Sequence, residues 1–94
     1  MKVTINRLER LSLEDFADLH HLDLVLDEGS AGFIAEFDLP EETIYSPYRP
    51  KPGYGTTPLA AITDFAKEIS GRFICIAGSQ TVRVPKLHVE GVYE

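Results

Sequence analysis

The sequence predicts an α+β domain: an antiparallel sheet with two helices on one face, in the order α-β-β-β-α-β-β. Three observations predict it. Two segments carry helical apolar spacing between recognisable caps. Five short segments alternate, or run apolar, at strand length. The chain has 94 residues, 44% of them hydrophobic, which is one domain with one core.

Residues 1–10 mix charge with Val3, Ile5 and Leu8 and read as a short strand or an arm. Ser12 is a good helix N-cap, and Asp15 three residues on forms a variant capping box. Leu11 and Phe16 have hydrophobic-staple spacing, and Leu13, Phe16 and Leu19 share a face, so a helix is expected from about Leu13 to His21. Leu22 to Glu28 has apolar even positions, Gly29-Ser30-Ala31-Gly32 reads as a hairpin turn, and residues 33–38 alternate again. Phe33, Ala35 and Phe37 are expected in the core, with Glu36 and Asp38 outward. Leu39-Pro40 breaks this strand. A weaker third strand is expected over Glu41 to Ser46, anchored by Ile44.

Pro47 to Thr56 reads as a loop rich in proline and glycine. The second helix is marked by Thr57 as cap, Pro58 at the first turn, Gly71 at the end, and Ile62, Phe65, Ala66 and Ile69 on one face. Arg72 to Ala77 reads as a buried strand, Gly78-Ser79 as a two-residue turn, and Gln80 to Val84 as the returning strand stopped by Pro85. The tail to Glu94 fits no single element. The αβββα core has the element order of a double-stranded-RNA-binding domain, but order carries no function by itself.

Charge is the most informative bulk property. The formal net charge is −6, and the pI is near 4.9. Leu11 to Tyr48 holds ten acidic residues and no Lys or Arg, while the other 56 residues hold nine basic and five acidic groups. Direct binding to nucleic acid or to an anionic membrane is disfavoured, because both need cations. A partner protein with a basic surface is favoured. No apolar run approaches the roughly 20 residues that span a bilayer, and no signal peptide is visible, so a cytoplasmic location is expected. The single Cys75 fits a reducing compartment.

No catalytic, cofactor or metal site is expected. His20 and His21 are adjacent on a helix and point about 100° apart, so they do not converge on a metal. The carboxylates sit at cap, turn and outward positions rather than in an acid/base pair. Cys75 lies within an apolar run and reads as a core residue. Gly53-Tyr54-Gly55-Thr56-Thr57 precedes a helix but lacks the phosphate-loop lysine. Pro47-Tyr48-Arg49-Pro50 is either a rigid connection or a polyproline ligand. The candidate partner-binding residues are Asp23, Asp27, Glu28, Glu36, Asp38, Glu41 and Glu42, with Tyr45, Tyr48 and Tyr54 as interface anchors or sheet-edge packing. Pairing of two copies through a sheet edge is also open.

Three stretches resemble a group of small uncharacterised phage and prophage proteins. They are Ser12 to Ala17, Tyr54 to Gly71 and Val84 to Leu87. Those proteins carry an early L-x-E-x-F-A helix and a Y-G-x-G-x-T-P-E-E-A-I segment ending in I-S-G. The chain departs from them with Leu59-Ala60 in place of two acidic residues and with a shorter glycine turn. The resemblance implies a phage accessory protein, and anti-CRISPR inhibitors include small acidic proteins of this kind. The resemblance transfers no active site; taken with the one-sided acidic charge, it fits a non-enzymatic inhibitor that occupies a basic nucleic-acid-binding surface of a host protein. Pro52 to Thr57 leading into an alanine-rich helix is also similar to HicB-type antitoxins, which implies an antitoxin-like binding module as the alternative.

Overall fold

A computed structural model describes residues 11–77 and 80–89. Helix α1 spans Leu13–Leu19, followed by strands β1 (Asp23–Gly29) and β2 (Gly32–Asp38). A short 3₁₀ helix occupies Glu41–Tyr45, and β3 is Gly53–Gly55. Helix α2 (Pro58–Ile69) leads to β4 (Phe73–Ala77) and β5 (Gln80–Arg83). The class is α+β, and the helix and strand order is the expected one. The strands divide into two antiparallel sheets, β1-β2-β3 and β4-β5. The turn expected at Gly78-Ser79 and the readings for residues 1–10 and 90–94 lie outside the described residues.

Both helices begin as the caps dictate. Ser12 Oγ accepts the Asp15 N–H at 3.0 Å, and Thr57 Oγ1 accepts the Ala60 N–H at 3.1 Å. Helix α1 ends two residues earlier than expected, at a left-handed His21 with φ 56°. Leu22 N–H donates to the Ala17 carbonyl at 2.8 Å and His21 N–H to that of Asp18 at 3.2 Å, which is a Schellman closure. That conformation usually belongs to glycine, because a Cβ crowds the backbone there.

The third strand is not where the alternation placed it. Residues 41–45 wind into the 3₁₀ helix after Pro40, whose carbonyl accepts both the Thr43 N–H (3.0 Å) and the Thr43 hydroxyl (2.7 Å). This tight local bonding outcompetes an extended strand. Thr43 is buried, whereas the expected anchor Ile44 is half exposed. The strand forms instead from Gly53-Tyr54-Gly55, a segment of low strand propensity. Its register on β2 is Phe33↔Gly55, Ile34↔Tyr54 and Ala35↔Gly53.

Tertiary contact explains that choice. Helix α2 lies directly on β3. A Cβ on Gly53 would fall well inside 3.0 Å of the Ala61 and Phe65 backbone, and one on Gly55 would collide with Ala60 and Ala61. Ala61 is fully buried at this crossing. The outward N–H of Tyr54 is satisfied by Asp64 Oδ2 at 2.9 Å, from the same helix.

One aromatic run ties the layers together. The Phe37 ring stands 6.2 Å from Phe16 of α1 and 4.9 Å, edge on, from Phe65 of α2. Phe37 thus meets both helices, so both cover one face of β1-β2-β3. Ile74, Ile76 and Val84 extend the core from the second sheet and the segment after it. Cys75 is buried, and its N–H donates to the Tyr48 carbonyl at 2.8 Å. The tail left open by the sequence returns to α1: Leu13 N–H donates to the His88 carbonyl at 2.7 Å, and Leu87 is buried.

Gly53→Ala loses more than about 3 kcal/mol in urea unfolding, as overpacking against fixed backbone requires. Gly29→Ala, whose Cβ meets only the Gly32 carbonyl at 3.9 Å, is close to neutral by comparison. A near-neutral Gly53→Ala would show that α2 does not bear on β3. His21→Gly gains roughly 1 kcal/mol by relieving the left-handed residue. His21→Ala, which removes the imidazole but keeps the Cβ, gives no such gain in the same thermal melts.

Candidate functional site

Strand pleating sorts the sheet's side chains into two sets. Leu24, Phe33, Ala35 and Phe37 face the helices. Asp23, Val25 and Asp27 of β1, Ile34, Glu36 and Asp38 of β2, and Tyr54 of β3 therefore share the opposite, outer face. On that face Asp23 is directly opposite Asp38, Val25 opposite Glu36, Asp27 opposite Ile34, and Ile34 opposite Tyr54. Four carboxylates thus stand on a two-stranded hairpin: Asp23 and Asp38 are directly opposite, about 5 Å apart, Glu36 is about 7 Å along β2 from Asp38, and Asp27 is diagonal to Glu36. Among the described residues no Lys or Arg is in register with any of them.

The 3₁₀ helix borders this face. Between it and the sheet lies a depression of about 240 Å³, lined by Val25, Glu36 and Asp38 with Glu41, Ile44 and Arg49. So five of the seven expected acidic residues gather here: Asp23, Asp27, Glu36 and Asp38 on the sheet, and Glu41 beside it. Glu42 is exposed on the 3₁₀ helix and does not line the depression. Glu28 belongs to the helix-side set at the hairpin end, opposite Phe33. Charge alone groups Glu28 with the others, and the pleat separates it.

The three tyrosines are not one anchor. Tyr54 stands on the outer face and is 60% exposed. Tyr45 closes the 3₁₀ helix at 89% exposure. Tyr48 belongs elsewhere: its carbonyl binds β4, and it lines a separate groove with Arg72 and Phe73. Beside Tyr54 the face carries apolar residues that a count of charges does not reveal, Val25 and Ile34, with Ile44 at its border. The odd position of Val25 in an otherwise even apolar pattern was the available signal.

No protein-family model, curated protein or solved structure matches this chain. His20 packs its ring 4.6 Å from Phe16, while His21 closes the helix. Among the described residues no group of three His, Cys, Asp or Glu side chains is placed to hold a metal ion. No helix among the described residues is long and apolar enough to cross a membrane. The arrangement offers an acidic surface with an apolar centre at Val25 and Ile34.

Such a surface should cost stability in the free protein, since like charges opposite each other on paired strands repel. Asp38→Asn, or Asp23→Asn, is expected to stabilise the fold by a few tenths of a kcal/mol, roughly the size of one exposed pair. The double variant gains less than the two single gains added together, and high salt shrinks all of them. Additive, salt-independent gains in urea unfolding would mean that the two carboxylates do not interact.

Proposed function

We propose that the chain is a non-enzymatic acidic binding protein that docks the outer face of β1-β2-β3 on a basic surface of a partner protein. The supporting observation is the β1–β2 register, which collects Asp23, Asp27, Glu36 and Asp38 on one face beside Val25 and Ile34. Carboxylates on a rigid hairpin attract Lys and Arg over a distance, and the apolar centre supplies burial once contact is made. Basic grooves that serve nucleic acid are the natural target, because their cations already expect a row of anions. The likeness to phage accessory proteins fits this use: a phage inhibitor that stands in for nucleic acid on a host protein needs no chemistry of its own.

The test is retention from a host-cell lysate on immobilised protein, at low and at high salt. A basic, nucleic-acid-binding protein is expected at low salt and should be lost at high salt. The triple variant Asp23→Lys, Asp27→Lys, Glu36→Lys should lower retention by about tenfold or more while the circular dichroism spectrum is unchanged. Retention that ignores both salt and charge reversal overturns the proposal, and so does the absence of any basic protein at low salt.

A further inference from the structure

A second depression lies away from the acidic face, on the helix side of the sheet. It measures about 920 Å³ and runs between α1 and the segment from Arg83 to His88, open to solvent on one side. Phe16, Val84 and Leu87 form an apolar floor, and Leu19 stands in its wall at 59% exposure. Arg83 and Lys86 are exposed at its margin, joined by the imidazoles of His20 and His88. None of its described lining residues is a carboxylate, in a chain with an excess of six negative charges.

The walls are fixed before any ligand arrives. Gly71 N–H donates to the Val84 carbonyl at 2.8 Å, Leu87 N–H to Ser70 Oγ at 3.0 Å, and His88 N–H to the Leu11 carbonyl at 3.3 Å. A preformed groove binds without the loss of loop entropy that weakens a mobile one. We infer that this groove is a second binding site, for an acidic peptide segment of a partner protein with apolar anchor residues. The size is that of a complete ligand site, in the range of roughly 300–1,000 Å³. The apolar floor selects a segment that inserts aliphatic or aromatic side chains, as in other peptide grooves. The cations at the margin select Asp and Glu beside those anchors, and they repel a basic segment. The site is thus opposite in sign to the outer sheet face and does not depend on the role proposed for that face.

The probe is a synthetic peptide alternating Leu with Glu, titrated into ¹⁵N-labelled full-length protein. A Leu/Lys peptide, a Ser/Glu peptide and laurate serve as comparison ligands. Amide shifts are expected at Leu19, Gly71 and Leu87 with the Leu/Glu peptide, and little or no shift with the Leu/Lys or Ser/Glu peptides. The variant Arg83→Glu, Lys86→Glu should weaken the Leu/Glu peptide by about tenfold. Leu19→Asp, at an already exposed position, should weaken it similarly without unfolding the protein. Equal binding of the Leu/Lys peptide, shifts confined to the β1–β2 outer face, or unchanged affinity in both variants overturns the inference. Binding of laurate without binding of the Leu/Glu peptide also overturns it, since the groove would then be a site for a small amphiphile.

Discussion

The rest of the structure depends on the seating of α2 directly on β3. Helices usually keep their distance from a sheet because side chains stand between them. Here Gly53 and Gly55 present no Cβ, and Ala61 is fully buried against them, so the two backbones approach as closely as packing allows. The close approach fixes β3 beside β2, which fixes which side chains of β2 face inward. Phe37 then meets Phe65 from one helix and Phe16 from the other, and a single aromatic run closes the core. Asp64 completes the arrangement by accepting the otherwise unpaired N–H of Tyr54.

That seating has a consequence on the other side of the sheet. With both helices committed to the inner face, the outer face has, among the described residues, the 3₁₀ helix at its border. Carboxylates placed there keep their hydration and avoid the penalty of burial. The same charges guard β1, which among the described residues pairs with β2 alone. The acidic face is therefore compatible with the fold at modest expense, and the helix side is free to carry groups of the opposite sign. Charge that reads as a bias along the sequence becomes a separation across the sheet.

Several features were legible in the sequence because they rest on neighbouring residues. Ser12 and Thr57 cap the two helices as their types demand. Ile62, Phe65, Ala66 and Ile69 are all buried on α2, as their spacing requires. The Gly29–Gly32 turn pairs β1 with β2 in the register that the alternation implies. The third strand was not legible, because Gly53-Tyr54-Gly55 has no strand preference and gains its partners only when α2 and β2 are in place. The 3₁₀ helix was hidden for the complementary reason: Thr43 bonds locally to the Pro40 carbonyl, a preference that an apolar pattern does not encode.

The sequence by itself determined the class, the helix caps, the first hairpin and the chemical character of the acidic half. Each follows from contacts a few residues apart, which local sterics and periodicity control. Only the tertiary structure decided which carboxylates stand together. It turned Glu28 towards the helix side, drew Glu41 to the margin of Glu36, and put Tyr48 against β4 instead of beside Tyr54. It also folded the segment from Val84 to His88 back along α1, which makes the basic groove. Such placements join residues far apart in the chain, and their energy comes from packing that does not exist until the whole core has closed.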